Sequence, residues 1–226
     1  MAMIVGVHID CDLKFDSHIS EMIKKANKML GLIRRSFTVL NADIVVPLYK
    51  CFVRYALENN NVVWGGNLKK SEIDAIEKVQ MRATEMIEGL RSLDYAERLQ
   101  LLKLPTLVYR RARGRMLEIW RHFHSHDGSV SKPMFDLSIS QRNPLQIRRG
   151  PVSYTHRNVQ ANSFYHFAPL AWNTLSGDMR SIEKMDTFKS ALDKHWDNLP
   201  IKYDYTQLIH PINTRRLDVE IGPQAV

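Results

Sequence analysis

Cysteine is scarce: Cys11 and Cys51 are the only two in 226 residues, so neither a disulfide framework nor a four-cysteine zinc site can be assembled. A reducing, intracellular compartment, nuclear or cytoplasmic, fits that usage. Long apolar runs are missing too. None reaches about 18 residues, so no membrane-spanning helix is expected. The opening Met1-Ala2-Met3-Ile4-Val5-Gly6-Val7-His8 lacks the basic and long apolar stretches of a signal peptide. There is no Asn-x-Ser/Thr sequon and no Asp-Asp dipeptide. Gly-x-Ser-x-Gly, Gly-x-x-x-x-Gly-Lys and Gly-x-Gly-x-x-Gly are also absent, which leaves hydrolase and nucleotide-loop readings without support.

What is present is an ordinary apolar fraction, 44%, with 25% charged residues and an excess of positive charge, +8 in all. That balance suits a globular chain long enough to bury a core. The excess is uneven: residues 1–124 hold 20 Lys/Arg against 14 Asp/Glu, and residues 125–226 hold 12 against 10. It gathers at Lys24, Lys25, Lys28, Arg34, Arg35 and again at Arg110, Arg111, Arg113, Arg115. A basic surface of this kind is the footprint of a polyanion partner, and equally that of a solvated helix face.

Hydrophobic spacing predicts a mainly α fold: a helical bundle preceded by a short strand, then a smaller helical unit. A strand at Val5–Ile9 and a turn at Asp10-Cys11-Asp12 occupy 1–15. From 16 to 124 the bundle begins with Ile19, Met22, Ile23, Ala26, Met29, Leu30, Ile33 and Phe37 on one stripe, capped by Asp16 or Ser17. Asn41-Ala42-Asp43 caps a second helix, with Pro47 in its first turn and Leu48, Phe52, Val53 and Leu57 facing inward. Val62-Val63-Trp64 reads as a connector with one buried aromatic. A third helix starts at Ser71, with Asp74 completing its cap; Asp94 and Glu97 form a capping box for a fourth, and Thr106 caps a fifth. Residues 125–160 read as an irregular linker with short strands near Leu145–Ile147 and Val152–Tyr154. Residues 161–198 carry two helices, one crossing Pro169, and 199–226 form a loosely ordered tail.

Laid along that helix order, many segments resemble the thumb and C-terminal region of reverse transcriptases from non-long-terminal-repeat retrotransposons. The first helix carries Ala26-Asn27-Lys28-Met29-Leu30-Gly31-Leu32-Ile33-Arg34-Arg35-Ser36-Phe37. Val46-Pro47-Leu48-Tyr49-Lys50, Leu57-Glu58, Val63-Trp64, Asp74–Gln80 and Glu97-Arg98-Leu99 follow, then Leu104-Pro105-Thr106 through Gly114. Ala168-Pro169, Trp172-Asn173-Thr174-Leu175, Phe188-Lys189 and Leu192–Trp196 close the match, which spans roughly residues 4 to 198. The chain departs from the family pattern in three places. Arg54-Tyr55-Ala56-Leu57-Glu58-Asn59 stands for the usual Arg-Pro-His-Leu-Glu-Tyr, Arg115 for an acidic residue, and Ser176 for a proline. The resemblance implies a chain downstream of the palm, without fingers or catalytic aspartates. Such a chain is catalytically silent and binds an RNA or RNA–DNA duplex through its backbone. Similarity alone would also suggest an RNA-directed DNA polymerase, and a helical scaffold that binds protein is the alternative of another class.

The chemistry that the residues offer narrows to binding. Polymerisation needs carboxylates holding two magnesium ions about 3.5–4 Å apart, and no motif here assembles them. Asp10 and Asp12 either ligate one cation or shape the turn before the first helix. His122, His124 and His126 either bind a metal or sit at a helix end, where imidazolium suits the dipole. No metal or cofactor is expected. Arg110, Arg111, Arg113 and Arg115 are the strongest nucleic-acid candidates, a fork able to pair with successive phosphates, with Lys24, Lys28 and Arg35 as a second strip. Alternatively Glu118, Glu97 and Glu77 pair those arginines within the fold. Trp64, Trp120, Trp172 and Trp196 either stack on bases or fill the core.

Overall fold

The computed structural model describes residues 2–4, 6–10, 14–66, 68–124, 137–138, 145–148 and 164–207. The chain is mostly helical and divides into two compact units, Met1–Arg111 with Pro200–Thr206, and Ala112–Leu199 with Gln207–Val226. The division falls inside one long helix, so the stretch 16–124 is not one bundle. Among the described residues no helix is long and apolar enough to cross a membrane.

The first unit opens with an antiparallel hairpin in place of a single strand. β1 (Ala2–Ile4) pairs with β2 (Val7–Ile9), and Gly6 between them takes φ +78°, a conformation cheap only for glycine. Asp10 is a turn residue. Its carboxylate accepts the amides of Lys14 (2.8 Å) and Phe15 (2.9 Å). Those bonds hold Phe15 in the left-handed region, φ 59°, with its ring buried. The expected caps Asp16 and Ser17 are not used; Asp16 instead pairs with Lys69 at 2.6 Å. Asp12 lies outside the described residues.

α1 (Asp16–Ser36) buries Ile19, Met22, Ala26, Leu30 and Ile33 on the expected stripe. Phe37, beyond its end, is exposed. α2 (Ala42–Leu48) is capped by Asn41, whose Oδ1 accepts the Ile44 amide at 3.0 Å. Pro47 is its sixth residue, past the first turn, so it leaves one carbonyl without its helical donor. The ladder then widens into a π-helical segment, Tyr49–Arg54, before α3 (Tyr55–Glu58). Val45, Tyr49, Val53 and Leu57, four apart, are all buried. A spacing of four drifts around an α-helix, and the wider π turn takes up that drift. Phe52 is turned to solvent as a result, contrary to its expected inward position.

α4 (Asn61–Trp64) delivers the buried Trp64, whose indole donates to Asn59 O at 2.8 Å. α5 (Lys70–Glu85) starts one residue before Ser71, and Glu72, rather than Asp74, takes the Lys69 amide at 2.7 Å. α6 (Tyr95–Leu102) has the predicted box: Asp94 accepts the Glu97 amide (2.7 Å) and Glu97 accepts that of Asp94 (2.9 Å). Thr106 caps α7 (Leu107–His124) through the Tyr109 amide at 3.1 Å.

Residues 200–206 are not a loose tail. A 3-10 turn, Pro200–Lys202, gives Ile201 O to the Thr106 hydroxyl (2.6 Å) and Lys202 O to the Thr106 amide (2.9 Å). Ile201 is buried, and Tyr203 packs on the first unit's core. The rest of the expected tail, 208–226, lies outside the described residues.

In the second unit the later part of α7 joins a small hairpin, α8 (Phe164–Trp172), α9 (Gly177–Arg180) and α10 (Met185–His195). The hairpin pairs β3 (Leu137–Ser138) with β4 (Gln146–Ile147), so the supposed linker holds a built element. The Asn173 side chain brackets Ile147, accepting its N–H at 3.0 Å and donating to its C=O at 2.9 Å. The expected strand at 152–154 lies outside the described residues. Trp120, Trp172, Phe188 and Trp196 are buried, with the Phe188 ring 6.0 Å from Trp120 and 5.8 Å from Trp172.

Candidate nucleic-acid interface

The first candidate surface is the solvent face of α1. Burying the apolar stripe leaves Lys24, Lys25, Lys28, Arg34 and Arg35 exposed. At 3.6 residues per turn, Lys24, Lys28 and Arg35 fall within roughly 40° of arc, over a rise of about 16 Å. Lys24 pairs with Glu21 at 2.9 Å, a contact between exposed side chains that is worth little and is screened by salt. Lys28, Arg34 and Arg35 form no ion pair among the described residues, and Lys25 meets Glu21 only through its charge. Lys24, Lys28 and Arg35 thus form a solvated, positive strip, with Lys25 on one flank and Arg34 on the other.

The arginine cluster of α7 is a different matter, and the fork expected there does not form. Arg110, in the first unit, is gripped by Glu58 through both Nε and Nη2, the latter at 2.8 Å. Arg111 is only 3% exposed, with Glu77 and Glu58 supplying the compensating charge. In the second unit, Arg113 forks onto Asp193 (2.5 and 2.8 Å) and Arg115 is 4% exposed. Two guanidiniums are buried and two already hold carboxylates in the geometry that a phosphate would need. These four residues are fold contacts. Of the acidic residues expected as partners, Glu77 acts on Arg111 through its charge alone, and the carboxylates that grip Arg110 and Arg113, Glu58 and Asp193, lie 52 and 80 residues away.

Glu77 anchors a buried polar network in the first unit. Its carboxylate accepts the Tyr95 hydroxyl (2.7 Å) and the Leu107 amide (3.1 Å). Gln80 accepts from Tyr49 (2.5 Å) and donates to Tyr95 (3.0 Å) and to Pro105 O (3.1 Å). Burial pushes the Glu77 carboxyl above its ordinary value, opposed by the Tyr95 hydrogen bond and by Arg111. Burial likewise lowers Arg111. The signal was present in the sequence: Glu77 and Gln80 stand beside Ile76 and Val79, where a polar side chain must be satisfied if buried.

The remaining candidates resolve as structure. All four tryptophans are buried. His124 stacks on Trp120, ring centroids 4.4 Å apart, and its Nδ1 lies 3.0 Å from Trp120 O. His122 is held below the ordinary imidazole range by burial; His126 lies outside the described residues. Among the described residues no group of three His, Cys, Asp or Glu side chains is placed to hold a metal ion. No protein-family model, curated protein or solved structure matches the chain.

Proposed function

We propose that the chain binds the phosphate backbone of a nucleic-acid duplex through the exposed face of α1, and that it carries out no polymerisation by itself. The observation behind this reading is the strip of Lys24, Lys28 and Arg35, solvent-facing on one helix with Lys25 beside it, where Glu21 is the acidic neighbour of Lys24 and Lys25. Rows of cations on a rigid helix release counterions from a polyanion and read no sequence. The likeness of the sequence to a retrotransposon reverse-transcriptase thumb supplies the ligand class, an RNA or RNA–DNA duplex.

A second reading, a protein-binding scaffold, draws on Phe52 and Tyr55, which are 54% and 67% exposed beside one another on the π segment and α3. Titrating a fluorescent RNA–DNA hybrid at two salt concentrations separates the two. Duplex binding that weakens with salt supports the first, and no binding at low salt leaves only the second.

A further inference from the structure

A groove of about 580 Å³ lies in the first unit between the C-terminal half of α1 and the turn that follows α5. Its size is that of a small-ligand site. Three arginines line it, Arg34 from α1, Arg82 from α5 and Arg91 from the following turn, all exposed. Arg82 is steadied by Asn27, its Nη1 donating to Oδ1 at 2.9 Å. Two glutamates share the lining with the three arginines, which leaves the groove a net charge of +1. Glu85 meets Arg98 at 3.3 Å, and Glu88 exchanges bonds with Leu40, accepting its amide and donating to its carbonyl. Leu30 and Ile87, each 4% exposed, give the groove an apolar base.

Gly31 adds an independent observation. It sits in the interior of a 21-residue helix, where glycine is among the least favourable residues. A Cβ added there would meet nothing within 4 Å, so packing does not demand the glycine. What the missing side chain does is leave the groove wall bare.

We propose that this groove binds a nucleotide, its phosphate held by Arg34 and Arg91 with Arg82 alongside, and its base lying against Leu30 and Ile87. Guanidinium pairs with phosphate in two-pronged fashion and also stacks on flat rings, which favours a nucleotide over a purely acidic peptide. A free nucleotide and the phosphorylated end of a strand share this chemistry. The site is distinct from the α1 strip: the strip is read by salt-dependent duplex binding and the groove by nucleotide heats, so the two readings fail separately.

The test is calorimetric titration of the full chain with AMP, adenosine, inorganic phosphate and an oligoglutamate peptide. AMP should bind at millimolar affinity or better, with adenosine and phosphate each at least about tenfold weaker. Arg34→Gln with Arg91→Gln should weaken AMP at least about tenfold. Gly31→Leu should raise the melting temperature and abolish the AMP heat, because it fills the groove without touching a charge. A 5′-phosphorylated oligonucleotide that displaces AMP, where its 5′-hydroxyl counterpart does not, identifies a strand end as the source; failure of both to displace it identifies the free nucleotide. No AMP binding at about 10 mM, an unchanged heat in a folded Gly31→Leu variant, or tighter binding of the peptide than of AMP overturns the proposal.

Discussion

Arg110 and Glu58 form a two-pronged ion pair across 52 residues of sequence, half-shielded from solvent, with Nη2 2.8 Å from Oε2. A charged hydrogen bond in such a setting contributes about 1.5–3 kcal/mol. Glu58→Gln should lower the urea midpoint accordingly and leave the α1 strip's duplex affinity unaltered once the folded fraction is matched. Changing Arg110, Arg111, Arg113 and Arg115 together to Gln should cost folding cooperativity, since Arg111 and Arg115 are buried. A quadruple variant with wild-type stability and weakened duplex binding would restore the fork on α7.

His18 is buried between His8 and Trp64, ring centroids 6.1 and 5.8 Å away, and its Nε2 has no hydrogen-bond partner. Burial, reinforced by His8 and Lys25, holds its pKa below the ordinary 6.5. The folded state then binds fewer protons than the unfolded chain as pH falls. The stability is full above 6.5 and is lost as pH drops below that value toward the depressed folded one. Denaturant midpoints from pH 7.5 to about 5 should fall for the wild type, and fall less steeply for His18→Leu. Parallel slopes would refute this role for His18.

Gly65 is required by contact rather than by backbone angle. A Cβ placed on it would sit 2.5 Å from Asn61 O, the carbonyl that its own amide binds at 2.7 Å. Gly65→Ala should therefore push the end of α4 off Trp64 and destabilise by about 1–3 kcal/mol, read from chemical unfolding.

Ile201 sits at 1% exposure, and the carbonyls of Ile201 and Lys202 are tied to Thr106. Ile201→Ala should cost about 2–5 kcal/mol, as a core truncation does, although it lies near the end of the chain. A loss below about 0.5 kcal/mol, the level of an ordinary surface change, would mean that this segment does not hold the first unit.

Much of the fold was legible because it depends on local periodicity and caps. The α1 stripe, the Asp94–Glu97 box and the Thr106 cap all follow from residues three or four apart. Departures arose where the local geometry left the regular helix. Asp10, not Asp16 or Ser17, takes the amides just before α1, and Pro47 opens a π turn that hides Tyr49 and exposes Phe52. Ser176, one of the departures from the family pattern, has a local purpose: its hydroxyl accepts the Met179 amide at 3.3 Å and caps α9. For the candidate interface, charge spacing on α1 was readable from helical geometry. That on α7 was not, since pairing with Glu58 and Asp193 is invisible until the chain is folded.

The central claim is that α1 presents a phosphate-binding strip. Its most direct measurement is the affinity for a fluorescent RNA–DNA hybrid as a function of salt, for the wild type and for a variant with Lys24, Lys25, Lys28 and Arg35 all changed to Gln. These side chains are solvent-facing, so the variant should keep its helical content. The wild type should lose affinity log-linearly with salt, by about 0.9 in slope for each phosphate neutralised, and the variant's slope should shrink by about three to four units. Equal affinity and equal slope in the two proteins, or no wild-type binding at low salt, would contradict the account.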